Sequence, residues 1–530
     1  MNSIVTKPDF AEPTGLSFAT LMRRVLGRSL KPARPGPHLV IQGHVNGSYS
    51  LAAVNRCLAR TLERRRPGTV RVVPVEGNIT ADLSQVPAHE PIDDLVHRKP
   101  VPGAPYVVIS QHFPVYVPDD PTAPALALFY WEETLVPIET VRCLNRHFRG
   151  VLAPSAFVAK VLVDSGVSIP VYLVGQAPPL DDFRRLAARQ ERHSETVSFL
   201  HVSSCMARKG VDVLLAAYLR AFRRGDKVRL VIKGFPNPHN EIGARVARIR
   251  ASDPEAPEIV VINQDLNRRD LLALYADSDV MVLPTRGEGF NLPAAEAMAA
   301  GLSVIVTGFG GQMDFCNAET ARLLDFHLAP SQSHVAGSHG LWAEPSIEDL
   351  VAALREATGN SPSAHARRSN AGRVISQKTS EAALVDRIIS AATDCLMPRN
   401  APASAILIDH DTSRRPWSIL EGLVALHAEH GHPVAIRLAG TYDLELLPSG
   451  EKVLALATLS RVARVIVPSV GDAERLRRLG LGAKLVLIPP GANDALGEQL
   501  SGLLRGLTHE QRLVSWRNQE PDRRGESASG

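Results

Sequence analysis

From His38 onward, short apolar runs rich in β-branched residues alternate with longer stretches in which apolar side chains return every three or four positions. HLVIQG (38–43) predicts a strand and Tyr49 to Arg64 a helix; VRVVPV (70–75), YVVIS (106–110), ALALFYW (125–131), GVLAP (150–154) and PVYLV (170–174) predict further strands. Continuous apolar runs of this length, separated by helical stretches, are the pattern of a parallel sheet covered by helices on both faces. Between Pro178 and Ser194 the periodicity lapses and charge crowds, which predicts a linker.

A second alternating block begins at VSFLHVSS (197–204). Its first helix carries Val211, Leu214, Leu215, Tyr218 and Phe222 on one stripe and leaves Arg220, Arg223 and Arg224 to reach water. Strands are predicted at VRLVIK (228–233), EIVVI (258–262), VMVLP (280–284) and LSVIVT (302–307), and a helix at Ser346 to Ala357. Asn360 to Gly372 reads as a hinge or loop before a closing helix at Ser380 to Ala392. The expected fold class is therefore α/β: two Rossmann-like parallel-sheet domains at 37–180 and 195–395. A third, partial Rossmann-like α/β block follows at 402–500. It repeats part of the first, since Pro154, Ser155 and Gly166 match Pro468, Ser469 and Gly480 at one offset of 314 residues, with Val174 matching Ile488 in type. Leu144 and Arg146 match Leu459 and Arg461 one position out of step. The ends, 1–36 and 508–530, read as a basic tail and a polar, disordered tail.

Composition narrows the function classes. Among 530 residues, 59 basic and 55 acidic side chains give +4, and residues 1–36 hold six of the bases and two of the acids. The remaining body is balanced, whereas a dedicated nucleic-acid binder carries its basic excess through a folded face; no nucleic-acid partner is expected. Five scattered cysteines without a C-x-x-C pair argue against a disulfide framework and a thiolate zinc site, and fit a reducing compartment. No run of eighteen uncharged apolar residues predicts a membrane span. Phe18 to Arg34 mixes Leu21, Met22, Val25, Leu26 and Leu30 with five cations, so it reads as a solvated tail or, less readily, as a segment lying on an anionic membrane surface.

The richest chemistry lies in VMVLPTRGEGFNLPAAEAMAAGLSVIVT (280–307). A strand ends at Pro284, a turn through Gly287 and Gly289 presents Glu288, Pro293 occupies a first helical turn together with Glu296, and Gly301 ends the helix. Ligands of open α/β sheets bind at the carboxyl ends of the strands, and a helix start seats phosphate. Carboxylates beside such a seat are suited to accept hydrogen bonds from sugar hydroxyls. No strand is followed by G-x-G-x-x-G, which weighs against a nicotinamide dehydrogenase.

GEGFNLPAAEAMAAGLSV resembles the E-x7-E signature of the family 4 retaining glycosyltransferases, and the similarity extends over about residues 38–395. The resemblance implies a GT-B fold, with the two Rossmann-like domains facing across a cleft. It also implies transfer of a hexose from a nucleotide-diphosphate sugar, held by the second domain, to the hydroxyl of a glycan or lipid-linked acceptor on the first. No cofactor and no metal are implied; the aspartate pairs Asp277/Asp279 and Asp409/Asp411 lie before a strand and in the third block.

By motif position Glu288 would lie against the transferred sugar and Glu296 would hold the ribose, with Gly289, Phe290, Asn291 and Leu292 near sugar and diphosphate; Asn291 replaces a usual glycine. Lys209, in CMARKG, matches the diphosphate lysine, but Ser203 and Ser204 stand where the family usually supplies an arginine. Arg208 or Lys233 is the candidate replacement. Gly43 and Gly47 resemble the glycine loop over the diphosphate, and Gly310, Gly311 and Asp314 a glycine pair followed by an acid. His112, Glu132 and Glu133 end two first-domain strands; of these Glu132, ahead of His112, is the candidate to orient or deprotonate the acceptor hydroxyl. Glu344 in WAEP reads as structural. The family's usual setting is assembly of envelope polysaccharide or lipid-linked glycan, which implies a cytoplasmic protein, peripheral at the inner face of the plasma membrane if its basic N-terminus makes contact. The rivals are a nucleotide-sugar epimerase or phosphorylase of the same architecture, and a non-catalytic nucleotide-sugar-binding or scaffold protein.

Overall fold

The computed structural model describes residues 36–47, 49–76, 79–80, 83, 86–87, 90–187, 195–333, 340–359 and 362–397. Beyond these it describes 403–410, 424, 434–438, 459, 464–467, 472, 476, 485–487 and 511–516. Phe18–Arg34, read as a solvated tail or a membrane-surface segment, and Asp411 lie outside the described residues. No helix among the described residues is long and apolar enough to cross a membrane.

The first domain comprises β1 (His38–Gly43), α1 (Ser50–Arg65), β2 (Val70–Glu76), β3 (Ile79–Thr80), α2 (Asp93–Val96), β4 (Tyr106–Gln111), β5 (Ala125–Leu128), α3 (Ile138–His147), β6 (Gly150–Ala153), α4 (Ala156–Asp164) and β7 (Val171–Leu173). Its strands lie in the order β3-β2-β1-β4-β5-β6-β7, parallel apart from the short β3. Then come α5 (Asp181–Ala187), β8 (Val197–Val202), α6 (Val211–Ala221), β9 (Val228–Gly234), α7 (Ile242–Ser252), β10 (Glu258–Asn263), α8 (Arg268–Ala276), β11 (Val280–Leu283), α9 (Leu292–Ala299), β12 (Ser303–Thr307) and β13 (Arg322–Leu324). These strands form a second, all-parallel sheet ordered β10-β9-β8-β11-β12-β13. The two sheets bear out the α/β, two-domain expectation. In each, strand order reverses beside the first strand, between β1 and β4 and between β8 and β11. Loops diverge at such a reversal and open a crevice at the carboxyl ends.

Three elements differ from the sequence reading. Asp181–Ala187, inside the expected linker, is helical and buries Leu180 and Phe183 in the second domain's core. The expected hinge at Asn360–Gly372 is largely helix: α10 (Ile347–Ala357) is followed by α11 (Pro362–Lys378) and α12 (Glu381–Leu396). Weak apolar periodicity hid α11, which buries only Ala371 and Ile375 in that core. Although α12 follows the second domain in sequence, it places Leu384, Val385, Ile388, Ala391, Ala392 and Cys395 in the first domain's core. The chain thus crosses between domains twice, through α5 and α12. A hairpin of β14 (Phe326–Pro330) and β15 (Leu341–Pro345) stands apart from both large sheets; WAEP is its second strand, and Ser346 then caps α10 through the Asp349 amide.

Strands β16 (Ala403–His410), β17 (Val434–Leu438), β18 (Arg464–Val467), β19 (Leu485–Leu487) and β20 (Gln511–Trp516) form a third parallel sheet ordered β19-β18-β17-β16-β20. The pairing Val465↔Leu485 repeats Val151↔Val171 at the 314-residue offset found in the sequence. Strand order repeats as well, with β20 in the place β1 holds in the first sheet. Residues 511–516, inside the tail expected to be disordered, are therefore a strand; the charge around them masked Leu513, Val514 and Trp516, good strand formers.

Candidate functional site

The crevices of the two sheets meet in a cavity of about 350 Å³ lined by loops that follow β1, β4, β5, β8 and β11. From the second domain it receives Arg208, Lys209, Glu288, Gly289, Phe290, Asn291 and Leu292; from the first, His112 and Glu132. These residues are far apart in the chain, and the fold gathers them.

The Glu288 loop is shaped by what presses on it. A Cβ at Gly287 would stand 2.2 Å from the Glu132 carbonyl oxygen, and one at Gly311 would stand 2.0 Å from that of Gly289. Any larger residue would push the domains apart or displace the loop. Gly310 and Gly311 lie behind the loop and do not line the cavity; the Gly311 amide donates to the Glu288 carbonyl at 2.7 Å. Asn291 adopts a left-handed backbone, φ 76°, and its side chain caps α9 by accepting from the Ala294 amide. Asparagine tolerates this conformation better than most residues, which accounts for its presence where glycine is usual. Pro293 follows inside the first turn. Glu296 lies one turn further on than the sequence reading placed it.

Four charged side chains converge beside this loop. Lys209 Nζ reaches Glu288 Oε1 at 2.7 Å, and the Arg208 guanidinium reaches Glu288 Oε2 at 3.4 Å and Glu132 Oε1 at 3.1 Å. Burial and then the adjacent Arg208 lower the Lys209 pKa against the pull of Glu288. Burial also works against the charge on Arg208, but Glu132 and Glu288 outweigh it and hold its pKa above the usual value. Both cations sit in the short turn Ala207–Lys209 between β8 and α6. That turn is fixed by Arg286, two residues before Glu288, which sequence reasoning passed over. The Arg286 amide donates to the Arg208 carbonyl at 2.7 Å. Its guanidinium donates to the Ala207 carbonyl at 2.5 Å, to both Asp212 oxygens and to both Glu344 oxygens. Trp342 lies 5.3 Å from it across the ring face.

Other expected site residues stand elsewhere. Glu296 accepts the Tyr275 hydroxyl proton at 2.6 Å and lines an adjoining cavity of about 180 Å³; burial raises its pKa. Lys233 lines neither cavity and stands 5.9 Å from the Phe235 ring, its pKa lowered by burial. Gly43 ends β1 against Gln111, and the Gly47 carbonyl accepts from Arg56, so neither lines the main cavity. Asp314 accepts the Ala156 amide across the domain boundary at 3.0 Å, and Glu133 accepts the Ser331 hydroxyl at 2.6 Å.

Ser203, where an arginine was expected, turns inward to His201. That ring donates from Nδ1 to the Val282 carbonyl at 2.8 Å and accepts at Nε2 from the Ser203 hydroxyl at 2.7 Å. His201 is 0 % exposed, and burial lowers its pKa to about 4. As pH falls from about 6.5 towards 4, the unfolded chain takes up a proton that the folded chain refuses, so stability declines through that window. The loss integrates to about 3 kcal/mol at most. His201→Gln is expected to flatten this part of the stability–pH profile, read from denaturant midpoints between pH 7 and 4.

The first two α/β domains thus face each other across a cavity with charged lining. Residues 164–356 match the family model described as glycosyl transferases group 1. A relative named MMP alpha-(1->4)-mannosyltransferase, from Mycolicibacterium hassiacum, is 29 % identical over 227 residues, which are 41 % of this chain and 52 % of that one. A D-inositol 3-phosphate glycosyltransferase from Corynebacterium glutamicum is 29 % identical over 180 residues, covering 31 % of this chain and 40 % of that one. The chain thus spans about half or less of the length of these curated relatives. Among solved structures, a sucrose-phosphate synthase from Thermosynechococcus elongatus has a TM-score of 0.48 and 14 % identity, covering 67 % of this chain and 98 % of that one.

Proposed function

We propose that the protein is a glycosyltransferase that moves a hexose from a nucleotide-diphosphate sugar to an acceptor hydroxyl, retaining anomeric configuration and using side chains rather than a metal to carry the diphosphate charge. The observation that supports this reading best is the cluster of Arg208 and Lys209 against Glu288 at the mouth of α9, where the crevices of both sheets face each other. In the free protein each cation is held by a carboxylate. An incoming diphosphate offers stronger, charge-assisted acceptors, so Lys209 and Arg208 turn to it and Glu288 is left to accept from the sugar. Arg208 then serves where the family's usual arginine is missing, and Lys233, outside the cavity, does not. As the glycosidic oxygen leaves, the cations stabilise the charge that grows on the phosphate. Glu132 stands on the acceptor side, in contact with Arg208, as the group that orients the acceptor hydroxyl. The setting proposed is the cytoplasmic face of an envelope-glycan or lipid-linked-glycan assembly line.

A panel of nucleotide sugars tests the reading. One of them should raise the melting temperature, because a ligand bound only by the folded state stabilises it, and the same one should be turned over. Lys209→Ala should weaken nucleoside-diphosphate affinity by roughly tenfold or more, measured by calorimetry. Stabilisation by no member of the panel would sink the proposal.

A further inference from the structure

Resting on the sugar-transfer reading of the cleft, we infer that the acceptor enters it as an uncharged, hydroxyl-bearing molecule laid against an aromatic wall of the first domain, and that phosphorylated acceptors are rejected. Tyr49, His112, Phe113, Tyr130 and Trp131 all line the cavity from that side. Tyr49 and Phe113 are each 37 % exposed, among the few large apolar side chains left open on the described surface. Aromatic faces in a cleft bind the C–H face of a sugar ring or an apolar aglycone.

The polar groups of this wall suit a neutral polyol. Gln111, at the end of β4, lines the cavity and is 2 % exposed, and its Oε1 has no hydrogen-bond partner. Across the cleft Asn291 is 4 % exposed, and its Nδ2 likewise has none. One group accepts and the other donates. Buried amide groups without partners are costly, and hydroxyls, which both donate and accept, satisfy either. His112 stands in the same wall, and its Nδ1 donates to the Pro114 carbonyl at 2.7 Å.

Charge points the same way. Among the described residues that line the cavity from the first domain there is no lysine or arginine, and Glu132 contributes a carboxylate. The cations of the cavity, Arg208 and Lys209, come from the second domain and are assigned to the donor diphosphate. A phosphate on the acceptor would meet a wall that carries the Glu132 carboxylate and, among the described residues, no lysine or arginine, so little would offset its desolvation.

The experiment uses the full-length protein and the nucleotide sugar that stabilises it most. Methyl and phenyl glycosides of glucose, galactose and mannose are offered beside the 6-phosphates of the same sugars. Neutral glycosides should be used with kcat/KM at least roughly tenfold above the phosphates. Phe113→Ala should raise the acceptor KM by roughly fivefold or more, while the thermal shift given by the nucleotide sugar stays as in the parent protein. Equal or better use of a 6-phosphate, no use of any neutral glycoside by protein that binds donor, or an unchanged acceptor KM in Phe113→Ala each overturns the inference and leaves the transferase reading standing. Stabilisation by no nucleotide sugar would remove that reading, and this inference with it.

Discussion

Alanine in place of Glu288 is expected to slow sugar transfer by about a thousandfold or more while nucleoside-diphosphate affinity stays within about a few-fold. Glu288 is buried in the cleft wall, with Lys209 at 2.7 Å and Arg208 at 3.4 Å. In the proposed complex those cations leave it for the diphosphate, so its carboxylate contributes to the sugar and not to the phosphates. Removing it therefore strips an interaction that matters at the reacting end of the donor. The cations remain, and without Glu288 as a competitor they are freer to bind a diphosphate. Product formation followed by chromatography gives the rate, and calorimetry with nucleoside diphosphate alone gives the affinity. Glu288→Gln serves as the control for shape, since it preserves volume and removes only charge. Near-parental turnover in both variants would reject the assigned role.

The second large effect is expected at Arg286. It is 7 % exposed and ties together the Ala207–Lys209 turn, Asp212 in α6, Glu344 in β15 and, through its own backbone, the Glu288 loop. Asp212 and Glu344 outweigh the effect of burial and keep the guanidinium charged. Arg286→Ala leaves both carboxylates facing each other without their shared cation. A fully buried pair broken this way costs about 3–5 kcal/mol; the Asp212 side chain is 43 % exposed, so water offsets part of the loss, and about 2–4 kcal/mol is expected. Arg286→Lys keeps a charge but cannot bridge two carboxylates in the plane of one group, so it should restore only part of the stability. Denaturant midpoints measure this. Because Arg286 also holds the Ala207–Lys209 turn, Arg286→Lys should raise the diphosphate dissociation constant even under conditions where it is fully folded.

Much of the scaffold was written in local pattern. Runs such as VRLVIK and LSVIVT can only be strands covered on both faces, and they lie where they were expected. The Glu288 turn was readable because glycine, proline and a helix start occur together within a dozen residues. Long-range partners were not readable. Arg286 looks like any loop arginine until the fold brings Asp212 and Glu344 to it, and His201 sits in an apolar strand with nothing nearby in sequence to announce its bond to Ser203. The aromatic wall escaped for the same reason, since Tyr49, Phe113 and Trp131 come from three separate loops. Helix α11 was missed because a helix with little apolar surface carries little periodic signal. At Gly43 and Gly310–Gly311 the sequence shows glycine but not its neighbour: each lets one stretch of backbone lie against another, Gly43 against Gln111, Gly310 against Glu288 and Gly311 against Gly289.

The late return of α12 to the first domain has a consequence for how the polypeptide comes into being. During synthesis the amino-terminal lobe must wait, its apolar slot open, until some two hundred further residues have left the ribosome and delivered Leu384, Val385 and Ile388. The amino-terminal lobe is not an autonomous cassette, and any shuffling of halves between related chains would have to carry this last helix along with the lobe it seals.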